Sequence, residues 1–402
     1  MRASIAFLVF AVIVAVAPCS AGEPATAESV RSAATRALPY IAGDGQKWMR
    51  EKGCITCHQV PSMVWSFNIA RERGLAVDAG KLKLWNTWAV DNGLKRATYY
   101  KVTDAALSKL REAKVADESL LKLGPIKDQN FVSLEDFRDA LASKLSAVEV
   151  KDHDAELVKA CAVAGQGGGG GGSNNQYTFL LMSQAPRGSK DPRADARALA
   201  TALAESQTAD GSWVPAGQFK MQQRSADEAM EVVTLWSVLA LAQASEPTAE
   251  ETAAAKKARE WLKSREASSA QTNTSIEKLM LQAMLARHDG DDATAKKLTD
   301  ELLKLQHADG GWGWLKDRKE SDLLTTGEVL YGLSYLGRDG KDAAVRKAWQ
   351  YLLAAQDKDG KWPFVADTIS ASKKPDRKDG DYIYTYWTTA WAVIGMLSTL
   401  PD

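Results

Sequence analysis

The chain is poor in the two residue types that most often bind metals, with four Cys and four His among 402 residues. It also lacks an excess of charge of either sign, because 51 Lys and Arg residues balance 51 Asp and Glu residues. This balance removes the general electrostatic reason to expect a nucleic acid or an anionic membrane surface as a partner. Clusters of β-branched residues are few and alanine is abundant, which favours an all-α chain.

Long apolar runs are absent except at the N-terminus. Arg2 precedes an unbroken apolar run over 5–17, and small residues precede Gly22, so residues 1–21 are predicted to be a secretory signal peptide. A run of this length is too short to span a bilayer comfortably. The mature chain is therefore expected to be soluble and either secreted or periplasmic. The alternative is a lipoprotein cleaved before Cys19, a site that the preceding Pro18 fits poorly.

A short motif near the start of the mature chain carries the most specific chemistry. Cys54, Cys57 and His58 have the Cys-x-x-Cys-His spacing that attaches a c-type haem. The two thiols add to the haem vinyl groups, and the imidazole becomes an axial ligand of the iron. The motif predicts one covalent haem c with His58 as the metal ligand, and a redox partner protein follows from it. The alternative interpretations are a small disulfide loop or a metal site that uses His58.

The sixth position of the iron is left open by the sequence. Met182, His153 and Met63 are the candidates, with Met63 ranked last because it follows His58 by only five residues. A Met ligand would suit electron transfer, whereas an empty position would suit ligand sensing or peroxidase-like chemistry. The remaining cysteine of the mature chain, Cys161, is interpreted as a small buried apolar residue.

A seven-residue frame, Gln-x-x-x-Gly-x-Trp, occurs at 207–213, 306–312 and 356–362, each time after an amphipathic run. Its Gly is expected to take the left-handed conformation that ends a helix. The Gln amide is expected to satisfy carbonyls left bare at the helix end, and the indole to cover the turn. The spacing predicts a worn copy between the first two frames, with Ser268 in place of the Gln. These residues are interpreted as mainly structural.

A second type of segment follows every frame. Four segments that begin at Thr234, Ser275, Thr326 and Thr389 align without gaps and are apolar almost all round. Helices of that kind are buried on both sides, whereas the preceding helices carry a charged face. Outer amphipathic helices that alternate with inner apolar helices describe an α/α toroid.

The repeated frames resemble the QW motifs of the squalene cyclase and prenyltransferase-repeat superfamily, whose fold is an α/α toroid. The resemblance covers about 191–400. Weaker matches at 63–70, 82–90 and 176–182 extend it to one ring of about six or seven helix pairs. The haem motif then precedes the first inner helix.

The predicted organisation has four parts, with one low-complexity stretch between the two largest. A signal peptide at 1–21 precedes an N-terminal helical region at 22–166 that carries the Cys-x-x-Cys-His motif. A glycine-rich loop at 167–173 leads to the repeat toroid at 174–402. A single continuous ring that includes 22–166 is the alternative.

Enzymes of this superfamily have two catalytic features that can be sought in this chain, an acid motif and a zinc site. An Asp-x-Asp-Asp sequence at 289–292 matches the acid motif of the cyclases, but its position between two helices favours a helix cap. The zinc site of protein prenyltransferases is excluded, because no Cys follows Cys161. Five acidic residues near helix starts are expected to face solvent or complement helix dipoles, with a polar pocket as the alternative. They are Asp227, Glu231, Glu277, Asp322 and Glu328.

The sequence therefore predicts an exported, squalene-cyclase-like α/α-toroid protein with a covalent haem c and a redox or electron-transfer role. Whether it is an enzyme stays open. One alternative is a terpenoid-cyclase-like enzyme or isoprenoid-lipid binder, with an apolar small molecule in the barrel. The other is a non-catalytic interaction scaffold, since function does not follow from fold.

Overall fold

The computed structural model describes residues 25–56, 58–164, 174–184, 194–220, 222–244, 246–266, 274–364 and 378–402. The predicted signal peptide, Cys57, the glycine-rich segment and Ser268 lie outside these described residues. Within them, no helix is both long and apolar enough to cross a membrane.

The centre of the fold is a closed ring of apolar helices. Within the described residues it has six members: α2 (Val60–Glu72), α8 (Asn174–Gln184), α10 (Ala226–Leu241), α12 (Ile276–His288), α14 (Leu323–Tyr335) and α16 (Lys378–Ser398). Each packs against the next in chain order, and α16 packs against α2. Their side chains are buried on nearly every face, as their apolar sequences predict.

Six further helices surround this ring and alternate with the inner helices along the chain. They are α1 (Ala27–Lys52), α3 (Ala79–Gly93), α9 (Ala194–Glu205), α11 (Ala249–Glu266), α13 (Asp292–Lys304) and α15 (Ala343–Ala355). The architecture is the all-α toroid that the sequence predicts, with six helix pairs in the part of the chain that the structure describes.

An insert of 98–164 interrupts the alternation between α3 and α8. Its elements are β1 (Thr98–Tyr100), α4 (Asp104–Glu112), α5 (Asp117–Lys122), a short 3₁₀ turn (Gly124–Ile126), α6 (Leu134–Ala142), α7 (Ala147–Cys161) and β2 (Ala162–Ala164). The strands pair antiparallel, and the helices enclose an apolar core separate from that of the ring. The insert docks on the end of α1, where the Asn130 backbone N–H donates to the Arg50 carbonyl at 2.8 Å.

The repeated frames bind outer helices to one another. Each Gln amide donates to the carbonyl of its own Gly and to a carbonyl of the next outer helix. The distances from Nε2 to the carbonyl oxygens are 2.8–3.0 Å. Gln207 donates to Gly211 and Ala254, Gln306 to Gly310 and Ala344, and Gln356 to Gly360 and Ala33. The three glycines have φ of 98°, 96° and 81°, so the left-handed conformation is confirmed; the helices themselves end earlier, at Glu205, Lys304 and Ala355, and the glycines lie in the turns that follow.

The prediction for the Gln amide is wrong in one respect. The carbonyls left bare near the helix ends accept instead from the Trp indoles. Nε1 of Trp213, Trp312 and Trp362 donates to Leu203, Leu302 and Leu352 at 3.0, 2.8 and 2.7 Å. The indole folds back over the helix that it follows, which leaves the Gln amide to bridge to the neighbouring outer helix.

The same frames also fix the inner helices. The backbone N–H groups of Trp213, Trp312 and Trp362 donate to the hydroxyls of Thr234, Thr326 and Thr389, each at 3.1 Å. These hydroxyls are the positions at which the inner segments align in the sequence. In these three inner helices the hydroxyl therefore sets the register of the helix against the turn before it.

Aromatic side chains from five inner helices fill the middle of the ring. They are Trp65, Phe179, Trp236, Tyr331 and Trp391, whose ring centroids lie between 5.1 and 6.5 Å apart in nine contacting pairs. Such tilted and edge-on contacts stabilise a core beyond the area that they bury. These five residues form the central aromatic cluster.

Candidate functional site at the mouth of the ring

The inner helices run in one direction, because each outer helix returns the chain to the same side before the next inner helix begins. Their N-termini therefore share one face, the mouth, and their C-termini share the opposite face, the rear. The described residues of the Cys-x-x-Cys-His motif, 54–56 and His58, lie at the mouth, between α1 and α2.

The turn that carries the motif is tightly shaped. Gly53 ends α1 with φ of 62°, and its N–H donates to the Met49 carbonyl at 3.0 Å. Thr56, between the two cysteines, has φ of 50°, a value uncommon for a β-branched residue. Its hydroxyl accepts from the Gln59 N–H at 3.1 Å just before α2 begins. The strained conformation is held by contacts on both sides of the motif.

The two described cysteines have different surroundings. Cys54 is half-buried and forms no disulfide with another described residue, and burial raises its pKa although the Trp48 indole opposes the shift. Cys161 is completely buried in the core of the insert, where burial raises its pKa to about 12. The interpretation of Cys161 as a small core residue is confirmed.

His58 is enclosed at the mouth and is 5% exposed. Its imidazole centroid lies 6.0 Å from the indole of Trp48 and 6.2 Å from that of Trp387. Burial lowers its pKa to about 4, because the charged form loses its hydration. The imidazole is thus neutral at pH 7, the state in which histidine binds a metal.

The structure separates His58 from one of the three candidates for the sixth ligand. Met182 lies near the C-terminal end of α8, at the rear of the ring. His153 belongs to α7 of the insert. Met63 is in the first turn of α2 and packs against Gly45 of α1. Among the described residues no group of three His, Cys, Asp or Glu is arranged to hold a metal ion.

A buried ion pair occupies the mouth between α10 and α12. Arg224 Nη2 donates to Glu277 Oε2 at 2.7 Å, and the two side chains are 0% and 2% exposed. Glu277 Oε1 accepts from Trp236 Nε1 at 2.7 Å, and the Arg224 guanidinium lies 4.4 Å from the ring centroid of Trp314. Nε and Nη1 of Arg224 have no hydrogen-bond partner within the described part of the chain.

Glu328 lies beside this pair and is 2% exposed. Burial and the negative charge of Glu277 raise its pKa well above the ordinary range, although Arg224 opposes the shift. Its Oε2 has no partner among the residues described. The expectation that Glu277 and Glu328 face solvent is wrong, because both sit on inner helices at positions where the sister helices carry Trp236 and Trp391.

The other predicted acidic residues have structural partners. Glu231 is buried and pairs with Lys278, whereas Asp227 is exposed and pairs with Arg265. Asp322 is buried and caps α14, accepting from the Thr325 N–H at 2.7 Å. These residues hold helix ends and neighbouring helices together.

The Asp-x-Asp-Asp sequence lies outside the ring interior. Asp291 accepts from the Thr294 N–H at 3.0 Å as the cap of α13, and Asp289 pairs with Arg259 at 2.7 Å. Asp291 and Asp292 are exposed. The prediction of a helix cap is confirmed, and a proton donor facing an aromatic cavity is not formed by these residues.

Comparison with known proteins supports the fold. Residues 249–355, which span α11 to α15, match the family model of the squalene-hopene cyclase N-terminal domain. No curated protein sequence matches the chain. A wild-type glycosidase structure is similar with a TM-score of 0.51 and 10% identity, covering 93% of this chain and 98% of its own. A substituted form of a glycosidase gives 0.50 and 11% with the same coverage. The chain therefore has a squalene-cyclase-like α/α-toroid fold.

Proposed function

We propose that the chain is an exported redox protein that carries one covalent haem c on Cys54 and Cys57, with His58 as the proximal iron ligand. The observation that carries the proposal is the Cys-x-x-Cys-His motif in a tight turn at the mouth of the ring. Fe bound in a c-type haem supplies one-electron chemistry, and its potential depends on the axial ligands and on burial.

The residues of the turn fit this group in their donor chemistry. Cys54 presents a half-buried sulfur that is not bonded to any other described residue, and His58 is neutral at pH 7. A porphyrin provides four ligands of its own, so one or two protein ligands suffice, and a cluster of three is not needed. The indoles of Trp48 and Trp387 give the imidazole an apolar surround of the kind that raises the potential of a buried iron.

His58 is 5% exposed and lies beside the indoles of Trp48 and Trp387, so a haem on its imidazole would require these neighbours to move. Covalent attachment to a chain that has not finished folding would fix the porphyrin there before Trp48 and Trp387 pack. Export is consistent with this order of events, because the N-terminal segment has the features of a secretory signal. We therefore expect a mature chain that begins near Gly22.

The test is production of the exported chain together with a haem-attachment system. We expect a haem spectrum that survives acid–acetone extraction and an intact mass raised by one haem. Cys54→Ser and Cys57→Ser should each retain haem through one thioether and shift the pyridine haemochrome band, because one vinyl group stays unreacted. The double variant should lose covalent haem, whereas Cys161→Ser, the matched control, should keep it.

Axial ligation and redox activity need separate measurements. His58→Ala should change the spin state of any haem that it retains, and His153→Ala should not. Potentiometric titration should show one reversible one-electron transition. A colourless protein of unmodified mass would remove the proposal, and so would covalent haem in the double cysteine variant.

A further inference from the structure

A cavity of about 450 Å³ opens at the rear of the ring, far from the Cys-x-x-Cys-His turn. It lies among the C-terminal ends of α2, α8, α14 and α16. Small-molecule sites usually have volumes of about 300–1,000 Å³, so this rear cavity is large enough for a small ligand.

The floor of the rear cavity is aromatic and firmly held. Trp65 and Tyr331 line it and also belong to the central aromatic cluster, where their centroids are 5.1 Å apart. Tyr335 and Ile69 continue the apolar surface beside them. A ligand that reaches the floor would meet fixed ring surfaces.

The rim of the rear cavity carries both signs of charge. Arg73 and Arg338 face Glu72, Asp339 and Asp402 around the opening. Contacts within the protein hold both guanidinium groups in place. Arg73 donates to Asp402 at 2.8 Å and to the Ser398 carbonyl at 3.1 Å, and Arg338 pairs with Asp342.

This distribution of charge disfavours ionic ligands. Three carboxylates and the carbonyl ends of four inner helices oppose an anion, because helix C-termini carry partial negative charge. Two guanidinium groups oppose a cation. A wholly apolar ligand would strip water from charged rim groups without replacing their hydrogen bonds. A neutral ligand that both donates and accepts hydrogen bonds satisfies all of these groups.

We propose that the rear cavity binds a neutral polyhydroxylated ligand, one or two sugar rings, between Arg338 and Asp339 at the rim and Trp65 and Tyr331 at the floor. Each sugar hydroxyl can donate to a carboxylate or helix-end carbonyl while it accepts from a guanidinium. The C–H face of a pyranose ring packs on an aromatic surface. The proposal is independent of haem, since none of the lining residues belongs to the motif.

The experiment is calorimetric and NMR titration of the full chain with glucose, maltose and cellobiose. We expect saturable binding of at least one of these sugars. Arg338→Gln and Asp339→Asn should each weaken it at least tenfold. Arg287→Gln is the matched control, because Arg287 ends the inner helix α12, pairs with Asp292 and lies outside the rear cavity; it should bind as wild type does.

Folding of each variant is checked by circular dichroism and thermal unfolding. Tyr331→Phe keeps the aromatic packing of the floor and should retain sugar binding. It shows whether a substitution in the cavity that preserves the fold also preserves binding. Failure of all three sugars to bind would overturn the proposal. Sugar binding that is unchanged in Arg338→Gln and Asp339→Asn would also overturn it, as would saturable binding of choline or benzoate in place of the sugars.

Discussion

The side-chain amide of Gln356 donates to the backbone carbonyl of Ala33 at 2.9 Å, across 323 positions of the chain. The equivalent bonds of Gln207 and Gln306 join outer helices that follow one another in sequence. The bond of Gln356 instead joins the end of α15 to α1. Gln356 therefore closes the ring of outer helices, whereas Gln207 and Gln306 each connect one outer helix to the next.

Replacing Gln356 with Ala should loosen the closure of the ring. Two hydrogen bonds to carbonyls of the buried residues Ala33 and Gly360 are lost, together with the one that Oε1 accepts from Arg36, so the free energy of unfolding should fall by about 1–3 kcal/mol. Gln306→Ala removes the same two types of bond and should cost a similar amount. Hydrogen exchange distinguishes them: amides of α1 should exchange faster in Gln356→Ala, and amides of α15 in Gln306→Ala. Equal protection of α1 in both variants would contradict the closure role.

Replacing Gly395 with Ala should destabilise the contact between α14 and α16. A Cβ at Gly395 would lie 2.1 Å from the Gly327 carbonyl oxygen, so the helix backbones must separate. Such overpacking costs about 1–3 kcal/mol and sometimes more. Gly43→Ala is the control, because a Cβ there meets nothing within 4 Å. In a helix interior it should stabilise the chain by roughly 0.5–1 kcal/mol. Urea unfolding of both variants measures the contrast, which a destabilised Gly43→Ala would refute.

Replacing Glu328 with Gln should change how stability depends on pH. Burial and Glu277 raise the pKa of the Glu328 carboxyl in the folded state. The unfolded chain therefore releases this proton first, and wild-type stability falls as pH rises from the ordinary Glu pKa through the folded value. The Gln variant has no proton to lose, so its stability relative to wild type should increase over this range. Unfolding free energies of the two chains, measured between pH 4.5 and 9, test this prediction. A stability difference that does not change with pH would contradict it.

Replacing Arg224 with Met should be more damaging than replacing both partners of its ion pair. The single change leaves the buried Glu277 carboxylate without its cation, which typically costs about 3–5 kcal/mol. Adding Glu277→Gln removes the charge and keeps an acceptor for Trp236 Nε1. The double variant should therefore recover much of the lost stability. A double-mutant cycle by chemical unfolding measures the coupling, and a double variant less stable than Arg224→Met would contradict the account.

The ring was readable from the sequence because its contacts recur at fixed offsets. Thr234, Thr326 and Thr389 align by sequence alone, and each accepts from the Trp of the preceding turn. Apolar and amphipathic segments also separate cleanly, since inner helices are buried all round and outer helices on one face. Local periodicity therefore contains most of the information that specifies the toroid.

The mouth was harder to predict because its contacts join distant parts of the chain. Arg224 pairs with Glu277, which lies 53 positions later in the chain, and no periodic pattern in the sequence predicts this pairing. An acid in place of the aligned Trp was visible in the sequence, but only the ring geometry shows that it is buried. The insert has no sequence signature for a similar reason, since its strands pair across more than sixty residues and its helices are short.

The pairing of Thr98 with Ala164 brings the beginning and the end of the insert side by side on adjacent strands. Neighbouring strands lie about 4.7–4.9 Å apart, so the insert begins and ends at nearly the same point. Excising the intervening helices would require only a short hairpin to rejoin the strands. The helices between the two strands could thus be shortened or exchanged without moving the two ends of the insert apart.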